Sequence, residues 1–86
     1  MIRVVAAKVL SACIVRVTFS DGAKGDIDLA AELEGPIFEP LRDPEYFRQL
    51  EVNPEIHTIV WPNGADFAPE FLYSQLPVEA SSAARG

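Results

Sequence analysis

Thr58 to Tyr73 reads TIVWPNGADFAPEFLY, and this stretch decides the fold. Thr58, Ile59, Val60 and Trp61 are β-branched or aromatic, so they predict the end of a strand that starts near Ile56. Pro62 cannot donate to a ladder and stops that strand. Asn63-Gly64 signals a tight turn, because both residue types tolerate positive φ. Pro69 pushes Ala68 out of the helical region and suits the first position of a helix. Leu72 and Leu76, four apart, give that helix one apolar face. Pro77 ends it. The pattern is strand, ordered connection, short helix.

Upstream, Asp43-Pro44-Glu45 is a helix start. Asp43 is placed as the N-cap, Pro44 at the first position and Glu45 at the positive end of the dipole. The helix is expected to reach about Gln49, with Phe47 and Leu50 on its buried side. Glu51 to Asn53 reads as a short strand, turned by Asn53-Pro54-Glu55 into the strand that ends at Trp61. Ahead of the helix, Ala30 to Leu33 fits one helical turn, stopped by Gly35-Pro36. Ile37 and Phe38 then serve as apolar anchors in a loop.

The first thirty or so residues predict three strands. Ile2 to Leu10 is rich in Val and Ala. Cys13 to Ser20 alternates, with Cys13, Val15, Val17 and Phe19 on one face and Arg16, Thr18 and Ser20 on the other. Ile14 interrupts the polar face, which implies partial cover there. Asp21-Gly22 is a hairpin signal. Lys24 to Leu29 returns, with Ile27 and Leu29 inward. The fold class is therefore α+β: a small antiparallel sheet, made of an N-terminal three-stranded meander plus a short C-terminal hairpin, with two short helices. Residues 1–76 form one domain, and the small polar segment 77–86 is expected to be a disordered tail. No internal repeat is visible.

The chain has 86 residues and a net charge of −6. A chain of this size buries roughly 60% of its unfolded surface, so the core is thin. Cys13 is the single cysteine, which excludes an internal disulfide and a multi-cysteine metal site. Seven basic residues are scattered, while phosphate neutralisation dominates nucleic-acid affinity, so direct nucleic-acid binding is disfavoured. A basic protein partner fits the charge better. No apolar run approaches the roughly 20 residues of a membrane helix, and no signal peptide is evident. The expected location is the cytoplasm.

No reaction can be read from these residues. His57 is the only histidine and reads as an ordinary strand residue; Cys13 reads as a small buried hydrophobe. Asp26 and Asp28 share a strand face, with Asp21 or Glu32 nearby, but no Ca²⁺ loop spacing is present, and a solvated acidic edge is the plainer reading. No nucleophile elbow and no phosphate-binding glycine loop occurs. No cofactor, metal or catalytic residue is assigned. The candidate interaction or ligand surface is Trp61, Asn63, Asp66 and Tyr73. Asp66 is expected to hold the turn by accepting backbone N–H bonds. Trp61 divides between core and interface anchor.

Phe19-Ser20-Asp21-Gly22, Asp28-Leu29, Phe38-Glu39-Pro40-Leu41-Arg42-Asp43-Pro44 with Phe47, and Trp61-Pro62-Asn63-Gly64-Ala65-Asp66 with Leu72-Tyr73 occur in that order. Together they resemble DUF2442, a small bacterial family of unknown function, over about residues 1–76. The resemblance implies a small α+β domain. Some members of that family carry an appended helix-turn-helix, which is not expected in the short segment 77–86; others are encoded beside a second small protein, in arrangements like toxin–antitoxin pairs. No enzyme activity follows from the resemblance. Two functions are expected from these readings. The first is a non-enzymatic interaction module, the acidic antitoxin-like or regulatory partner of a small basic protein. The alternative is a small-molecule sensing domain with a pocket at the Trp61–Asp66 loop. A homodimer through an exposed strand edge is compatible with either.

Overall fold

A computed structural model describes residues 2–76. The tail expected at residues 77–86 lies outside the described residues. The meander is β1 (Val4–Ser11), β2 (Ile14–Phe19) and β3 (Lys24–Asp28), antiparallel in that order. The hairpin is β4 (Glu51–Asn53) with β5 (Thr58–Val60). The helices are α1 (Pro44–Phe47) and α2 (Pro69–Ser74). The α+β class and the arrangement expected from sequence are the ones observed.

Register explains which side of the meander is buried. Val9 faces Val15 and Val15 faces Ile27; Ala7 faces Val17; Val4 faces Phe19. Successive strand residues alternate faces, so these residues make one apolar side. Val4, Val15, Val17, Phe19 and Ile27 are buried. The register of β1 slips twice, between Val4 and Ala6 and between Val9 and Ser11. Val5 and Leu10 are the extra residues at these bulges, and both are exposed. Cys13 lies in the turn before β2 rather than in the strand, and the backbone bends there through Ala12 at φ 41°.

The core is closed by a chain of rings. Trp61 packs on Phe47 of α1 at 5.4 Å and edge-on to Phe67 at 5.9 Å. Phe67 stacks on Phe38 at 5.0 Å and on Phe71 of α2 at 5.7 Å. Leu72 and Leu76 are buried, as their spacing predicted. Asp43 caps α1 by accepting from the Glu45 N–H at 3.0 Å, although α1 stops at Phe47 and not at Gln49. Single 3-10 turns occupy Ala30–Glu32, as expected, and Glu39–Arg42, which sequence did not indicate.

Three expectations are corrected here. Ile37 is no anchor: it is 47% exposed, while its neighbour Phe38 packs on the core. His57 is not a strand residue: it ends the β4–β5 turn at φ 58°. Asn53 causes this, because its Oδ1 accepts from the Glu55 and Ile56 N–H groups and its carbonyl accepts from His57 N–H. Finally, a short repeat does exist. Phe19-Ser20-Asp21-Gly22-Ala23 and Trp61-Pro62-Asn63-Gly64-Ala65 fold as two copies of one turn.

Candidate functional site

The two turns share the two backbone bonds that close them. Gly22 N–H donates to the Phe19 carbonyl at 3.0 Å, and Gly64 N–H to the Trp61 carbonyl at 2.9 Å. Phe19 N–H donates to Ala23 and Trp61 N–H to Ala65, at 2.8 and 2.9 Å. Gly22 and Gly64 take φ 91° and 90°, the left-handed region that a side chain opposes. In each copy the aromatic residue and the closing alanine are buried. The residue before glycine accepts from the alanine N–H: Asp21 at 2.9 Å and Asn63 at 3.0 Å. Asn63, and not Asp66, is therefore the residue that holds the second turn.

The remaining polar atom of each turn residue reaches elsewhere. Tyr73 donates its hydroxyl to Asp21 Oδ2 at 2.7 Å, and its ring meets Phe19 edge-on at 5.1 Å. This Tyr73 bond, and then the Ala23 N–H, hold the Asp21 carboxyl below its ordinary value. Asn63 Nδ2 donates to the Ile37 carbonyl at 2.9 Å. Together with the Phe38–Phe67 stack, that bond clamps the loop around Gly35–Phe38 against the loop after β5.

The four sequence candidates thus separate. Trp61 is buried, and its indole N–H donates to the Phe47 carbonyl at 2.9 Å, so it is a core residue. Tyr73 is half-buried and turned toward the Asp21 turn. Asn63 and Asp66 are exposed on the clamped loops. Asp66 bridges to Val60 through its backbone, while its carboxylate makes no hydrogen bond within the described residues. Sequence reasoning missed Ile37, which is exposed and lies in sequence between the exposed Glu34 and Glu39. The flanking Gly35-Pro36 was the available signal, since a turn there carries the following residue outward.

A cavity of about 260 Å³ lies elsewhere, lined by Val9, Leu10, Ser11, Ala12, Pro44 and Arg48. None of the four candidates borders it. The acidic residues of the meander also disperse: Asp26 pairs with Arg16 at 2.9 Å, and Asp28 accepts from the Ala30 N–H at 2.9 Å. No group of three His, Cys, Asp or Glu residues is placed to hold a metal ion among the described residues. The His57 imidazole makes no hydrogen bond within them. Burial, and then the Asp28 charge, push the Cys13 thiol above its ordinary value. No helix among the described residues is long and apolar enough to cross a membrane.

The family profile described as "Protein of unknown function (DUF2442)" matches residues 4–77. The chain belongs to the DUF2442 family. The match includes both copies of the turn and the clamped loops of this DUF2442 domain. No curated protein and no solved structure matches the chain.

Proposed function

We propose that this DUF2442 domain is a non-enzymatic interaction module whose acidic surface receives a small basic protein, in the manner of an antitoxin or regulatory partner. The observation that carries this reading is the setting of Ile37. It is a large apolar side chain, 47% exposed, on a loop fixed by Asn63 and Phe38. Glu34 and Glu39, which flank the clamped Gly35–Phe38 loop, and Asp66, on the loop after β5, are exposed. None of the three has an ion pair within the described residues. An apolar anchor with a charged rim is the usual anatomy of a binding patch. Unpaired carboxylates steer a cationic partner toward it and gain most when that partner arrives.

A basic peptide tests this directly. Titrating the labelled full chain with an oligolysine peptide carrying one leucine is expected to move the amide signals of Ile37, Asn63 and Asp66. Ile37→Ser with Asp66→Asn is expected to abolish the response, and both positions are exposed, so the fold survives. Signal changes confined to other surfaces would overturn the assignment.

A further inference from the structure

Charge is divided unevenly over this molecule. The solvent face of the meander follows from its register. Ala6, Thr18 and Lys24 form one row; Lys8, Arg16 and Asp26 form the next; Ser11, Ile14 and Asp28 form the third. Arg3 joins this face, because it pairs with Ser20 one step beyond the buried Val4–Phe19 pair. Four of the six described basic residues, Arg3, Lys8, Arg16 and Lys24, thus share one sheet face. Only two of the twelve described acidic residues, Asp26 and Asp28, accompany them.

That arrangement carries a cost that the fold does not relieve. Lys8 stands directly opposite Arg16, and like charges at opposed positions destabilise a strand pair. Asp26 neutralises Arg16 alone, with contacts of 2.9 and 3.4 Å. Arg3, Lys8 and Lys24 have no ion pair within the described residues. Ile14 is half-buried on this face and is not packed on the core, so an apolar spot lies among the cations.

We infer that this face is a second docking surface, and that its occupant is an acidic segment of another protein. The complement is one of charge, with Ile14 supplying apolar contact. The five residues of β3, the shortest of the three strands, make the shared patch about 17 Å long, and the three strands make it about 10 Å wide. An acidic helix of about three turns matches that length. A nucleic-acid duplex fits poorly, because its phosphates run past a patch this small and the described chain carries ten further carboxylates whose field opposes them. The domain would then join a basic partner at Ile37 to an acidic one at the meander, although each surface stands without the other.

The test uses the full chain with an oligoglutamate peptide of about twelve residues, long enough for three helical turns, and with a mixed-sequence DNA duplex in parallel. The peptide is expected to shift the amide signals of β1, β2 and β3, and to lose affinity as salt rises. Lys8→Gln with Lys24→Gln is expected to weaken it about tenfold or more. Ile37→Ser is expected to leave it unchanged, which separates this surface from the one proposed above. Absence of shifts on the meander, equal affinity in the Lys8→Gln, Lys24→Gln variant, or tighter binding of the duplex would each overturn the inference.

Discussion

Asp21 and Asn63 occupy the same position in two copies of one turn, and each braces a different part of the molecule. Both accept from an alanine N–H two residues on. Asp21 then accepts the Tyr73 hydroxyl, fastening α2 to the meander. Asn63 instead donates to the Ile37 carbonyl, fastening the exposed loop to the end of the hairpin. A carboxylate suits the first role and an amide the second, because only the amide can donate. Asn63→Asp is therefore expected to destabilise the fold by about 0.5–1.5 kcal/mol, because the bond it removes is exposed to water. Asp21→Asn is expected to cost less, since the Tyr73 hydroxyl can accept as well as donate. Urea unfolding of the two variants checks the order.

The turn glycines give a cleaner experiment. Nothing stands within 4 Å of where a Cβ would lie at Gly22 or Gly64. Any cost of alanine there is therefore backbone strain at φ near 90°. Each substitution is expected to lose about 1–2 kcal/mol. The two losses are expected to be alike in chemical denaturation, because the turns are alike.

How much of this was legible in the sequence varies with the range of the forces involved. Asp43-Pro44 could be read as a helix start because capping is local: the Asp43 carboxylate bonds the Glu45 N–H two residues away. The inward faces of β2 and β3 could be read because alternation reports the side of a pleated strand. The burial of Trp61 could not be decided, because its indole partner is the Phe47 carbonyl, fourteen positions earlier. Ile37 was misplaced for the same reason. Its exposure is set by the Asn63 bond and the Phe38 stack, neither of which is a local signal. His57 left the strand because the Asn53 side chain organises the turn before it. The gathering of Arg3, Lys8, Arg16 and Lys24 needed the strand register, which their scattered sequence positions do not give.

The Tyr73 bond makes a statement about acid. Asp21 has a folded-state value below its ordinary one, held there first by Tyr73 and then by the Ala23 N–H. Its contribution to stability is therefore complete above the unfolded value of about 3.9 and is lost as pH falls through the lower folded value. Tyr73→Phe is expected to raise the Asp21 carboxyl value and shift this acid loss to higher pH. Carboxyl titration by NMR, on wild type and variant, measures both.

Cys13 is expected to react slowly with alkylating reagents at neutral pH, because burial and the Asp28 charge both disfavour its thiolate. Asp28→Asn removes the charge and retains an acceptor for the Ala30 N–H. It is expected to speed alkylation, with burial still holding the rate below that of a free thiol. Mass spectrometry over a time course reads the difference.

The most direct test of the binding account is a paired affinity capture from native lysate. The tagged full chain is compared with a folded Ile37→Ser, Asp66→Asn variant, and retained proteins are identified by mass spectrometry. The account predicts one small basic protein, held by the wild-type chain, lost by the variant and released by salt. A small basic protein retained equally by both chains, or no basic protein captured at all, would contradict the assignment of the Ile37 surface; an acidic protein retained by both belongs to the meander face.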